Sequence, residues 1–457
     1  MAHTAGPLAL ALLAATAPLL AQTFEYKGDY LTDRAHPRLW MPARRAKLLA
    51  RETQRDSLRW AQFNTLMRGG VKMPEPGLAL ALYYVAAQSE DHGKRAVAWA
   101  LDPATRDLRQ MAVVFDWCQP VLAAADSKAL VKKIEAALAA QPALGKLDLS
   151  GVRDRVLAAL AISGHTELEP QTAFIKPVVE TWWKSQVADR VAAGAAPIDQ
   201  RDNLALLELL HALRDNLEID LRETNHKYFT GLPIFHLLAH YPAPYPGAEN
   251  EYRVSLMKVH GEPDAGVMIR SRAAALAMVA YDNNSQEMQF LQGWLIQDRF
   301  LLRSPYGIVY EFLWANPYQP GLSFHYLPTV FHDPASGRLI IRSTWEDDAV
   351  WYYQAGEVVQ MFRSGQVVNM KREQVTQPVE MGNTILLPGN LSERFEVRSG
   401  EAPVHYYVLG LREEAPYDLE VDDEELREVR TGRGGILELK FPRERVAGVR
   451  LQPVPTQ

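Results

Sequence analysis

A chain of 457 residues with 47% apolar and 23% charged side chains has the composition of a globular protein and is long enough for two or three domains. Forty-nine Lys plus Arg against 55 Asp plus Glu leave a net charge of −6, which offers no field for holding a phosphate backbone and disfavours nucleic-acid binding. A single cysteine, Cys118, excludes an internal disulfide framework and every cysteine-rich metal site.

In chain order, the first feature is an uncharged run from Pro7 to Leu20, rich in Leu and Ala. It is too short for a comfortable membrane span and sits where an export signal belongs, with Ala21 small enough for the residue before a cleavage point. Residues 1–21 are therefore expected to be a signal peptide, and the mature chain to be periplasmic or secreted. No later stretch approaches twenty apolar residues without charge, so no stable membrane span is expected after signal removal.

From about Pro42 to Phe300 the pattern is helical. Ser127–Ala140, Val152–Ala161, Ala173–Ala192 and Leu204–Leu213 repeat apolar residues at three- and four-residue spacing. Gly69-Gly70, Pro74 to Gly77, Pro142, Gly164 and Pro197 punctuate them, and the succession predicts stacked helical hairpins over residues 22–305. Within this half, His226, Tyr228, His236, His240, Tyr241, Tyr245 and Tyr252 cluster in sequence. His236 and His240 share one helical face, but Leu237, Leu238 and Ala239 lie between them. The glutamate of a metalloprotease helix is missing, so no metal and no cofactor is expected. Imidazole beside phenol does suit acid–base work. Cys118, on an apolar helix without an adjacent base, reads as buried and inert.

Residues 306–335 form the junction. Tyr306, Tyr310, Phe312, Trp314, Tyr318, Phe324 and Tyr326 alternate with Glu311, Asn316, Gln319, Ser323, His325 and His332, while Pro305, Pro317, Pro320 and Gly321 break regular structure. The expectation is a long irregular segment. Its aromatic faces and polar edges either match a sugar or simply plug the space between domains.

After about Ser336 the texture becomes β. Short runs such as Arg338–Ser343, Val358–Arg363, Val404–Leu409 and Val446–Leu451 are separated by Ser364-Gly365, Pro388-Gly389-Asn390 and Gly432 to Gly435, which predicts a β-sandwich over residues 336–457.

Three stretches carry a resemblance to a known family: His36-Pro-Arg-Leu-Trp40, Ala112-Val-Val-Phe-Asp-Trp117 and Arg342-Ser-Thr-Trp-Glu-Asp-Asp-Ala-Val-Trp351. With the order of helices then strands, the chain resembles the heparinase II/III-like polysaccharide lyases. That resemblance implies an incomplete (α/α) toroid followed by an antiparallel β-sandwich, a substrate groove between them, and β-elimination at a uronate. By residue type it makes Tyr241 or Tyr326 the base and acid, His236 or His325 the partner, and Asn316 the carboxylate neutraliser. Trp314, Tyr318, Tyr310, Glu311 and Arg363 become candidate saccharide contacts, and a polysaccharide the expected partner.

The chain departs from that family in one place. A His-x-His-x-Asp-like run usually follows the first strand pair, whereas Ala355-Gly-Glu-Val-Val-Gln-Met-Phe-Arg363 stands here, with no histidine between His332 and His405. Gln360 and Arg363 can bind a carboxylate but are poor proton carriers. Two expectations follow: a lyase-like enzyme using other residues, or a glycan-binding protein that kept the fold without the chemistry.

Overall fold

The computed structural model describes residues 28–454 apart from 33, 247–250, 253–262, 283, 298–300, 390–394, 399–403, 424 and 442–445. The expected signal peptide lies outside the described residues, and among these no helix is long and apolar enough to cross a membrane.

The first half is helical: α1 Ala43–Gln54, α2 Leu58–Arg68, α3 Pro76–Ala87, α4 Glu90–Leu101, α5 Leu108–Trp117, α6 Ala124–Ala139 and α7 Leu149–Ile162. Two π-helical stretches follow, Gln171–Ile175 and Val178–Ala188, where periodicity predicts an ordinary helix. The half continues through α8 Asp189–Ala192, α9 Asn203–Leu217, α10 His226–Leu238, α11 Ala265–Tyr281, α12 Gln286–Gln297 and α13 Gly307–Trp314.

Burial sorts these helices into two layers. Every residue of α5 and of α13 is buried, and nearly every residue of α9: their apolar side chains need neighbours all round, and buried Arg109, Asp116, Glu208 and Glu311 are each met by hydrogen bonds or ion pairs. Helices α3, α5, α7, α9, α11 and α13 touch in that order, and α13 packs back on α2 and α3, making an inner ring. Outer helices such as α4, α6, α10 and α12 return the chain between inner ones, so the inner helices run parallel. Their starts gather at one end of the ring and their finishes at the other. A helical toroid is thus formed, with one continuous core from Tyr30 to Leu327.

The junction is where expectation and structure part. Residues 307–314 are the last inner helix, not an irregular segment, and Gly-Ile-Val-Tyr-Glu-Phe-Leu-Trp fills its place because no face of it meets water. The prolines lie outside it. Beyond it, the chain folds flat against α12: a Cβ on Gly293 would fall 1.8 Å from the Leu322 carbonyl oxygen, so glycine is required at that crossing.

The second half comprises three sheets. Strands β3 Val330–Asp333, β4 Arg338–Arg342, β5 Trp351–Ala355, β6 Val358–Arg363 and β7 Gln366–Asn369 form an antiparallel meander. A second sheet runs β14 Leu437–Lys440, β11 His405–Leu409, β9 Thr384–Pro388 and β8 Val379–Met381, and a third runs β10 Phe395–Arg398, β15 Val446–Pro453, β12 Pro416–Val421 and β13 Glu425–Arg430. All described pairings here are antiparallel except β9 with β11. A two-residue pairing, β1 Tyr245–Pro246 with β2 Glu251–Tyr252, lies in the helical half.

Side-chain alternation explains the stacking. On β11, Tyr407 faces Leu339 and Tyr352 of the first sheet, while Tyr406 faces Leu419 and Val449 of the third. The first sheet turns its other face, with Ile340, Trp351, Tyr353 and Phe362, against Phe235, Leu238 and Tyr241 of the helical half. The layers run ring, first sheet, second sheet, third sheet.

Candidate functional site at the amino-terminal mouth of the ring

A cavity of about 640 Å³ opens where the inner helices begin. Each of the six contributes from its first turns or the residue before: Glu75, Asp107, Ser150, Asp202, Arg270 and Tyr306. Peptide dipoles therefore converge on it, roughly half a positive charge per helix start. The lining side chains add five arginines (106, 109, 153, 201, 270) against Glu75, Asp107, Asp154 and Asp202. With Glu208, which pairs Arg109 and Arg153 from below, the side-chain charges balance five to five, and it is the helix starts that favour an anionic guest.

The floor is a rigid lattice. The guanidinium of Arg109, 4% exposed, donates to both oxygens of Glu208, at 2.5 and 3.1 Å, and to Glu75 at 3.1 Å. Arg153 donates to Glu208 at 2.8 Å. The phenol of Tyr310 donates to Glu75 at 2.7 Å and accepts from Arg109 at 3.3 Å. Burial, opposed by Arg109 but reinforced by Glu75 and Glu208, holds the Tyr310 phenol well above its ordinary pKa, so it stays protonated. Burial alone would weaken the Arg109 charge; Glu208, Tyr310 and Glu75 outweigh it, and the cation is held firmly.

On the rim, Tyr306 is half-buried and its oxygen accepts from Arg270 Nη1 at 3.4 Å. The phenol's own proton is then free for a guest. A tyrosine with an arginine on its oxygen, above a floor of fixed charges, can bind a carboxylate and exchange a proton with its neighbour.

The candidates read from sequence fall in several places. Tyr310 and Glu311 are 2% and 0% exposed, Tyr310 in the floor just described. Glu311 accepts from Arg59 at 3.2 Å and from the Leu302 backbone N–H at 3.3 Å, so it holds α13 to its neighbours rather than meeting sugar. His236, fully buried on α10, lies 3.2 Å from Asn203 through Nδ1, and burial, with His240 beside it, pushes its pKa well below normal. Tyr241 is 3% exposed and donates to Gln360 Oε1 at 2.5 Å, in the seam between the ring and the first sheet. Gln360, where the resembled family carries its histidine run, thus meets the candidate tyrosine as an acceptor and not as a proton carrier.

The remaining candidates lie elsewhere. His325 is exposed, stacked on Phe324 and bonded to Gln297, and Tyr326 is 87% exposed. Arg363 is exposed at a hairpin end of β6. Trp314, 1% exposed, and Asn316 line a different cavity, with Tyr318, among the finishing ends of α9 and α11. Asn203 and Asp215 mark the two ends of α9, about 18 Å apart at 1.5 Å per residue. Asn316, which lines the cavity at the Asp215 end, therefore cannot neutralise a substrate held by His236, beside Asn203. The junction aromatics do not share one trench among the described residues: Tyr306 and Tyr310 line the mouth, Trp314 and Tyr318 the cavity at the other end, and Phe312 is core. Sequence reasoning missed Arg109, Arg270, Tyr306 and Glu75 as a group, since nothing local relates residues so far apart.

The chain is a helical toroid joined to a stack of mainly antiparallel sheets. No protein-family model matches it, and a search of curated proteins finds no match. Among solved structures it is similar to heparan sulfate lyase HepC from Pedobacter heparinus, with a TM-score of 0.38 and 13% identity over 83% of this chain and 76% of that one. A mutant of that lyase gives 0.37, and a glycoside hydrolase gives 0.30 at 9% identity over 92% of this chain and 76% of that one. Likeness at this level carries no argument about chemistry, which rests on the residues themselves.

Proposed function

We propose that this is an exported carbohydrate-active protein that binds a uronate-containing polysaccharide at the mouth of the ring and cleaves it by β-elimination. The observation that carries the reading is the Tyr306–Arg270 pair on the rim of a cavity into which six helix starts point. A rim arginine such as Arg106 or Arg201 takes the uronate carboxylate, and Arg270 steadies the oxygen of Tyr306. Tyr306 first passes its hydroxyl proton to solvent, and its oxygen then removes the proton beside the carboxylate. The electron pair forms the new C=C bond, the glycosidic C–O bond breaks, and the phenol returns the proton to the leaving oxygen. Purified protein with alginate, heparan or pectate should generate the absorbance of an unsaturated uronate. The Tyr306→Phe variant should lose at least about 100-fold in kcat with KM little changed. Silence of the native protein across the whole panel overturns the enzyme.

A second reading, binding without turnover, is favoured by the closure of Tyr241 on Gln360 and the burial of His236, which leave these two candidate proton carriers out of reach of a guest. It predicts that the same glycans raise the melting temperature while yielding no product.

A further inference from the structure

At the opposite end of the ring, about 600 Å³ of space lies among the finishing turns of α9, α11 and α13 and the outer surface of α1. Its walls include Trp40, Trp314 and Tyr281. Three buried hydrogen-bond donors border it with capacity left over. Trp314 Nε1 and Asn316 Nδ2 have no acceptor, although both are shielded from water. The third is Arg45, 7% exposed, whose one described hydrogen bond runs from Nη1 to the Ala315 carbonyl at 2.8 Å. No carboxylate among the described residues lies within ion-pair distance of it. Burial, with Arg44 adding to it and Asp215 opposing, brings its pKa down to about 10, a cation short of counter-charge.

Helix finishes carry partial negative charge, so part of this cation density merely offsets them. Magnitudes decide how much. Arg44, Arg45, Lys47, Arg51 and Arg214 face Asp215 and Asp282, a surplus of three positive charges. Three helix finishes supply roughly half a negative charge each, which cancels about half of that surplus. Asp215 Oδ1 is engaged by Arg214 at 2.8 Å, while its Oδ2 has no hydrogen-bond partner and faces His211 Nδ1 at 3.9 Å, so one acceptor stands beside the three donors. A net positive hollow with unanswered donors and indole walls remains.

We propose that this hollow is a second ligand site, separate from the mouth, that takes a small oxyanion, carboxylate or sulfate, against Arg45, Trp314 and Asn316. The ligand supplies the acceptors that the protein lacks there. A sugar acid and a free inorganic anion share this chemistry and are told apart by the test.

The test is a thermal-melt titration of the full chain with sodium glucuronate, acetate and sulfate at constant ionic strength, with chloride as reference. The native protein should melt higher with at least one of the three. The Arg45→Met variant, of similar volume and without the charge, should fold with equal or greater stability in chloride and lose at least tenfold in apparent affinity. Asn316→Leu serves as the second variant and should weaken binding in the same direction. A shift with all three anions marks a general oxyanion site; a shift with glucuronate alone marks a sugar-acid site. No shift with any anion overturns the proposal. So does a shift that Arg45→Met and Asn316→Leu both retain, or one abolished by Arg270→Met alone, which assigns the binding to the mouth and leaves the function proposed there standing.

Discussion

Asp116 Oδ2 accepts the backbone N–H of Leu39 at 2.7 Å, across 77 residues of sequence, and the same carboxylate takes the N–H of Arg38 and the imidazole of His36 at 2.5 Å. The two sequence stretches around His36 and Asp116 are therefore halves of one lock. Trp117 Nε1 closes it by donating to the Leu39 carbonyl at 2.8 Å, and Trp40 Nε1 donates to the Glu208 carbonyl at 2.9 Å. The segment before α1 is thereby tied to α5 and α9, under the lattice that floors the mouth.

Asp116→Ala should therefore be costly. The carboxylate is fully buried, and its loss strands two backbone N–H groups at roughly 1–3 kcal/mol each. Denaturant unfolding should show a loss of about 3 kcal/mol or more with little change in slope. A loss under about 1 kcal/mol would show that water replaces the carboxylate.

Arg109 makes a comparable prediction on the floor. Among the described residues, its removal leaves Glu208, 0% exposed, with Arg153 as the one remaining ion-pair partner. Arg109→Leu should destabilise by roughly 3–5 kcal/mol, as when one partner of a buried ion pair is deleted. Arg109→Lys should recover part of that, because one ammonium cannot reproduce the fork that reaches two carboxylates. Equal melting of the two variants would contradict the lattice.

Tyrosine variants locate the chemistry. Tyr306→Phe should abolish turnover, whereas Tyr241→Phe should leave it within about threefold, because the Tyr241 hydroxyl is engaged by Gln360 in a sealed seam. Progress curves on one uronate polymer with both variants suffice. Loss of activity in Tyr241→Phe alone would move the reaction to the domain seam.

In the sandwich, Glu438 sets an acid limit. Bonds from His332, Lys440 and Tyr407 outweigh its partial burial and bring its pKa down to about 2. A carboxylate depressed in the folded state stabilises fully above its unfolded value near 4.3, and that contribution fades as pH falls towards the folded value. The melting temperature of the native protein should thus decline from about pH 5 to pH 2 more steeply than that of Glu438→Gln. Parallel curves would remove Glu438 from the account.

Much of the architecture was legible because its causes are local. Three- and four-residue apolar spacing records that one face of a helix is covered, and alternation with Gly-rich turns records a pleated strand; neither depends on what does the covering. The order of helices then strands and the burial of Cys118, whose thiol is raised to about 12 by its surroundings, follow from such patterns. The junction misled for the same reason. Helix α13 is buried on every side, its one carboxylate Glu311 included, so it shows no amphipathic periodicity, and its flanking prolines look like those of a loop.

By itself, the sequence determined which segments could be buried, on which faces, and that neither cysteine chemistry nor a strongly basic surface was in play. Only the tertiary structure decided that Glu75, Arg109, Glu208 and Tyr310 meet, that Tyr241 is capped by Gln360, and that Asn316 and His236 stand at opposite ends of a ring. Arg109 bonds residues 34, 99 and 201 positions away, and contacts at such separations exist only once the ring closes. Hydrophobic periodicity carries no record of partner identity; closure of the backbone supplies it, by bringing specific helix ends to one place.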